Sequence, residues 1–172
     1  ENEVLLQLST LKSVSGRFQY FVSDDKITAI VDYAHTPDAL ENVLKTIEEI
    51  RTRNEQLITV VGCGGNRDKT KRPEMGQIAS EMSNQVIFTS DNPRNEDPMV
   101  ILSEIEAGVE AHNVRKVLTI EDRAQAIKTA CKLAKSGDII LIAGKGHEEY
   151  QEIKGVKYHF NDYELVQEFL KA

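Results

Sequence analysis

Five consecutive apolar residues, Ile139-Ile140-Leu141-Ile142-Ala143, constrain the fold of this chain more than any other stretch. The run is too short for an ordinary helix, and strand side chains alternate between faces, so a strand here is apolar on both. Such a strand has to be covered above and below, as central strands of parallel sheets are. Ile27 to Tyr33 reads the same way until Asp32 breaks the pattern.

Around these runs, strand and helix signals alternate. Phe18 to Val22 pairs with Ile27 to Tyr33 across the turn Ser23-Asp24-Asp25-Lys26. Thr36 is a cap and Pro37 a first residue for a helix carrying Leu40, Val43, Leu44, Ile47 and Ile50 at helical spacing. Leu57 to Val61 is the next strand, and Pro73 is expected to open a helix with Met75, Ile78, Ala79 and Met82 inward. Val86 to Thr89 follows, then a helix capped by Asp97 with Ile101, Leu102, Ile105 and Val109 as its stripe. Lys116 to Ile120 is a strand, and Asp122 with Gln125 fits a capping box before Ala126, Ile127, Ala130, Cys131 and Ala134. After Ile139–Ala143 come a small hairpin around Lys154-Gly155 and a last helix from Tyr163 to Leu170. The expected fold class is therefore α/β: a three-layer, mostly parallel, Rossmann-like sheet with an antiparallel edge and helices on both faces.

With 172 residues, one domain is expected, residues 17–172, preceded by a connector over 1–16 that leads from a domain upstream. A net charge of −7 argues against nucleic acid as a partner. No apolar run reaches the ~18–20 residues that span a bilayer, and Glu1-Asn2-Glu3 does not open a signal peptide, so no membrane is expected and a cytoplasmic location fits. Cys63 and Cys131 form no metal-type spacing, and neither do the histidines, so no metal site is expected. Cys63 is read as a small neutral residue near a ligand rather than as a nucleophile.

Open α/β sheets bind ligands beyond the carboxyl ends of their strands. Four loops should open there: Asp32-Tyr33-Ala34-His35, Gly62 to Arg72, Asp91 to Arg94, and Gly144 to Glu149. The third, D-N-P-R, reads by itself as an ordinary turn. Its place beside three other polar or glycine-rich strand ends makes it a site, where a carboxylate, an amide and a guanidinium on a stiffened backbone could read a ligand bearing carboxylate and ammonium groups. Arg67, Lys69, Lys71 and Arg72 are the one strong basic cluster, able to face phosphates or simply solvated. Lys145 and His147 stand open between general base and structural role. Neither glycine-rich loop satisfies a phosphate-binding fingerprint: Lys69-Thr70 follows Asp68 where a P-loop needs glycine, and Arg67 and Glu149 replace the third glycine of a dinucleotide motif. The domain is not expected to cradle a nucleotide unaided.

D-Y-A-H-T-P-D-A-L at 32–40, G-C-G-G-N-R-D-K-T-K-R-P at 62–73, D-N-P-R at 91–94 and G-K-G-H-E at 144–148 together resemble the C-terminal domain of Mur ligases. The likeness is strongest to the UDP-N-acetylmuramoyl-L-alanyl-D-glutamate–2,6-diaminopimelate ligase (MurE) type. It implies an ATP- and Mg²⁺-dependent enzyme of peptidoglycan precursor synthesis, monomeric, with a UDP-substrate domain and a central P-loop domain outside these residues. There the D-glutamate carboxylate of the UDP-N-acetylmuramoyl dipeptide becomes an acyl phosphate that an amine of meso-diaminopimelate attacks. Carried over by position, Arg67, Asp91, Asn92, Pro93, Arg94, Gly144 and Glu148 contact the amino acid. Asp32, His35 and Arg72 face ATP, and no catalytic residue is assigned within this domain. The resemblance further implies that lysine-adding relatives depart from D-N-P-R at its arginine, so diaminopimelate is the expected substrate, and that the chain alone is inactive. The alternatives are a related ligase (murein peptide ligase or folylpolyglutamate synthetase), a stand-alone amino-acid-binding module and, more remotely, a nucleotide-cofactor oxidoreductase.

Overall fold

A computed structural model describes residues 6–8 and 14–171. Its main sheet has six strands: β1 (Gln19–Val22), β2 (Thr28–Asp32), β3 (Leu57–Val61), β4 (Gln85–Phe88), β5 (Val117–Thr119) and β6 (Ile139–Ala143). Their order is β1-β2-β6-β3-β4-β5, antiparallel only between β1 and β2. The strand that most constrains the sequence is thus central, with Ile139 to Ala143 in register with Thr28 to Asp32 on one side and Leu57 to Val61 on the other. The expected fold class is the observed one.

Helices α1 (Pro37–Ile50), α2 (Lys71–Met82) and α3 (Pro98–Glu106) cover one face; α4 (Arg123–Leu133) and α5 (Asp162–Lys171) cover the other. Alternation decides which strand residue serves which layer. Ile139, Leu141 and Ala143 pack with Leu40, Leu44, Met75 and Ile105, while Ile140 and Ile142 pack with Ala126, Ile127, Ala130 and Val166. Cys63 and Cys131 lie in different layers and are free. Two caps form as the sequence requires: Thr36 accepts from the N–H of Ala39 at 3.3 Å, and Asp122 from that of Gln125 at 2.9 Å. Each is worth about 1 kcal/mol.

Several boundaries differ from expectation. α2 begins at Lys71, two residues before Pro73, because a proline inside the first turn removes only an N–H that has no helical acceptor. α3 ends at Glu106, leaving Val109 to pack from the following turn. β5 is shorter than Lys116–Ile120 because a 3₁₀ segment, Ala111–Lys116, runs up to it. β7 (Tyr150–Ile153) and β8 (Val156–His159) form the small hairpin, with Lys154 and Gly155 both at positive φ, as a tight two-residue turn demands. Of the connector, Leu8 is buried against Ile50, Phe18 and Tyr20, whereas Val4 and Leu11 lie outside the described residues.

One polar contact sits inside the second layer. Arg123 and Asp162 are both buried and meet through two hydrogen bonds, Nε to Oδ1 at 2.9 Å and Nη2 to Oδ2 at 2.7 Å. The same guanidinium donates to the carbonyls of Ser90 and Ala143, each at 3.2 Å, where β4 and β6 end. A buried charge without its partner is costly, so Asp162→Ala should lower the unfolding free energy by about 3–5 kcal/mol. Replacing both residues by leucine should cost clearly less, and urea titrations of the three proteins check the order.

Candidate functional site

β2, β6, β3 and β4 run the same way, so the four loops after them share one edge of the sheet. Between them lies a cleft of about 290 Å³ lined by Tyr33, His35 and Thr36, by Gly64, Arg67 and Lys71, by Asp91, Asn92 and Arg94, and by Gly144 and Glu148. Six of the seven residues expected at the amino acid are in its wall. Pro93 is not: it is buried behind the loop and acts through the backbone.

The loops are fastened to one another. Gly65 N–H donates to the Asn92 carbonyl at 2.8 Å, and a side chain on Gly65 would meet the Pro93 carbonyl at 1.9 Å, so only glycine lets the two loops lie this close. Asn92 is buried; its Oδ1 accepts from Lys145 Nζ and from the N–H of Glu152, both at 2.9 Å, and its Nδ2 donates to Glu148 Oε2 at 3.0 Å. Lys145 Nζ also reaches Glu148 Oε2, at 3.0 Å. The fully buried Lys145 is therefore an internal cation that orients Asn92 and Glu148, which decides its open role in favour of structure. His147 is exposed, with its ring 5.3 Å from that of Tyr33.

Asp91 is only 7% exposed, and among the described residues nothing donates a hydrogen bond to its carboxylate. Burial pushes its pKa up, opposed by the charges of Arg123 and Lys145 and reinforced by those of Glu148 and Asp162. Gly144, at φ +118, passes so near that a Cβ there would sit 2.6 Å from Asp91 Oδ2. An incompletely satisfied, nearly buried anion on a cleft wall is what an ammonium group would complete. Across the cleft, Arg94 Nη1 donates to the Gly65 carbonyl at 2.9 Å and keeps N–H donors over. Arg67 is exposed, its guanidinium donating to the Asn66 carbonyl at 3.3 Å. The cleft thus offers two guanidinium groups and two carboxylates to one small molecule.

The three residues expected to face ATP fare differently. His35 is exposed on the cleft rim, its Nδ1 2.8 Å from the Tyr33 carbonyl. Both Asp32 oxygens accept backbone N–H groups, from Phe18 and Ala34 at 2.8 Å, so this carboxylate shapes the turn. Arg72 is fully buried and paired with Glu96 and Glu104 between α2 and α3. It does not line the cleft, because a guanidinium on the inward side of the first helical turn meets the two carboxylates before it meets solvent. Cys63 is buried below the cleft, and burial, with Asp91 nearby, pushes its thiol up to about 12, which removes it as a nucleophile. No group of three or more His, Cys, Asp or Glu among the described residues is placed to hold a metal ion.

The sequence profile of the Mur ligase, glutamate ligase domain family matches residues 16–146. The chain belongs to that family. It is 59% identical over 170 residues, 99% of its length, to the UDP-N-acetylmuramoyl-L-alanyl-D-glutamate–2,6-diaminopimelate ligase of Cytophaga hutchinsonii. A solved structure of a ligase with that name superposes with a TM-score of 0.83 at 46% identity, covering 94% of this chain and 32% of that one. A murein peptide ligase from Psychrobacter arcticus, at 16% identity and a TM-score of 0.64 over 94% of this chain and 31% of that one, shares the fold. The chain spans 35% of the length of the Cytophaga relative.

Within this Mur ligase domain the site has members that the sequence did not reveal as such. Arg123 and Asp162 were legible in principle: each occupies an inward position on an otherwise apolar helical stripe (Arg123, Ala126, Ile127, Ala130; Asp162, Val166), where a charge signals a buried partner. Tyr33 and Lys71 line the cleft from motifs already singled out, and Lys71 Nζ donates to the His35 carbonyl at 3.0 Å. Glu152 carries no motif at all. For Asp91 the pH dependence is defined. A carboxyl whose folded pKa is raised destabilises the fold as pH climbs above its unfolded value, about 3.9. Asp91→Asn should therefore raise the thermal midpoint at pH 7 more than at pH 4; a pH-independent change in melting curves would contradict the assignment.

Proposed function

We propose that this chain is the amino-acid-binding C-terminal domain of an ATP-dependent ligase that adds meso-diaminopimelate to UDP-N-acetylmuramoyl-L-alanyl-D-glutamate. Residues 1–16 are then the connector from an upstream domain and 17–172 the binding domain. The observation that carries the reading is the cleft in which Arg67 and Arg94 converge with Asp91 and Glu148. meso-Diaminopimelate has two carboxylates and two amines, and this charge pattern complements it. The name of the Cytophaga relative and the near-complete cover of this chain support the same substrate.

In this reading Arg67 and Arg94 take the carboxylates, while Asp91 and Glu148 take ammonium. Asn92 and Lys145 hold Glu148 in place through Oε2, which leaves Oε1 for the ligand. Holding the amine in one orientation is the domain's share of catalysis, since it makes the attack on the activated carboxyl effectively intramolecular. ATP supplies, when bound, the phosphoryl group that activates the substrate carboxylate. ATP and Mg²⁺ are held mainly by a central domain outside these residues. Here Tyr33 and His35 line the cleft, and Tyr33 also lines a neighbouring hollow with Arg17 and His147; these rings and this cation fit the edge of a nucleotide.

Lysine lacks the distal carboxylate, so a lysine in the cleft would leave Arg94 unanswered, and unanswered polar groups give strong discrimination. Two charge-assisted bonds at about 1.5–3 kcal/mol each correspond to roughly 10²–10⁴ in affinity. In the full-length ligase, Arg94→Ala should lower kcat/KM for diaminopimelate by about that factor and hardly alter the slow reaction with lysine. A wild-type enzyme that prefers lysine would overturn the substrate. The coding sequence upstream of Glu1 should also hold an in-frame G-x-x-x-x-G-K-[ST]; a start codon there instead would favour a stand-alone binding module.

A further inference from the structure

Arg94 has a backbone that its residue type does not choose. Its φ is +51, in the left-handed region that costs a non-glycine residue energy and persists only where surroundings enforce it. The enforcing element is β7. Arg94 N–H donates to the Glu152 carbonyl at 3.0 Å, Lys154 N–H donates to the Arg94 carbonyl at 2.8 Å, and Arg94 and Ile153 form an isolated parallel bridge. The same strand also holds Asp91 and Asn92 of this loop, through Gln151 Nε2 to the Asp91 carbonyl at 2.8 Å and Glu152 N–H to Asn92 Oδ1 at 2.9 Å. The loop is thus fixed by backbone and amide contacts before any charge on Glu152 is considered.

The charge is then left for another purpose. Glu152 Oε2 lies 3.3 Å from Arg94 Nε, while Arg94 Nη1 donates to the Gly65 carbonyl. Both side chains of the pair are partly exposed, and a pair of that kind adds little to stability. What two contacts on two different nitrogens do accomplish is to fix the plane of the guanidinium and to direct its remaining donors into the cleft. A planar fork recognises a carboxylate by direction as much as by charge. We propose that Glu152 is a positioning residue for substrate choice: it holds Arg94 in the orientation that receives the distal carboxylate of the incoming amino acid. The proposal rests on the diaminopimelate reading of the cleft.

The test is steady-state kinetics of the full-length ligase with meso-diaminopimelate and with lysine, for wild type, Glu152→Gln, Arg94→Ala and the double variant. Glutamine keeps the size and every backbone bond but not the charge. Glu152→Gln should raise KM for diaminopimelate roughly 10- to 100-fold with kcat little changed, the size expected for a misdirected contact group. The lysine reaction and the thermal midpoint should stay at wild-type values. Because Glu152 acts through Arg94, the double variant should match Arg94→Ala alone instead of adding the two losses. An unchanged KM for diaminopimelate, equal losses with both amino acids, or additive losses would overturn the proposal. A wild type without preference for diaminopimelate would instead remove the substrate reading on which it stands.

Discussion

The buried pair of Arg123 and Asp162 is the contact on which the site depends. An arginine whose fork is filled on one side by a carboxylate still has donors, and here they go to the carbonyls of Ser90 and Ala143. Those are the points where β4 and β6 stop being strands and become the loops of the cleft. A sheet edge needs its last carbonyls satisfied, and water would leave them free to move. By answering both with one rigid group anchored to α4 and α5, the fold sets the relative position of two loops that share no strand hydrogen bonds, since β3 lies between their strands.

The charges above that anchor follow a layered logic. Arg123 and Lys145 are cations buried in the protein, Asp91 and Glu148 are anions over them, and Arg67 and Arg94 stand in the cleft wall facing the opening. The inner cations Arg123 and Lys145 oppose the upward push that burial gives the Asp91 carboxyl. Burial of the Asp91 carboxyl works against its ionisation in the folded chain. Such a local conflict with the fold's own preference is common at functional positions.

The layers, the strand order's parallel character and the common edge of the four loops were legible in the sequence, because both-face apolar runs and helical stripes carry them directly. Thr36, Asp97 and Asp122 marked their helices for the same reason: a cap is a local interaction. The burial of Arg72 was not legible because a basic cluster in sequence does not reveal which member points inward; the first turn of α2 separates it from Arg67 and Lys71. Glu152 was invisible since its partner lies 58 residues away and the pairing arises from a strand laid against a loop, not from any spacing. Residues in a contiguous motif could be placed at the cleft from the sequence; contacts made by tertiary apposition could not.

The central place of β6 has a consequence for how the chain comes to be folded. β2 and β3 are not neighbours: Ile139–Ala143 lies between them and supplies both with their hydrogen bonds. During synthesis some eighty residues separate the completion of β3 from the arrival of the strand that joins it to β2. Without that strand, β1–β2 and β3–β4–β5 share no hydrogen bonds, and each would leave an inner edge unpaired. Closing them is a long-range event, slow by its loop entropy and open to wrong pairing in the interval. The cleft, which draws on loops from both halves, exists only once β6 has joined them.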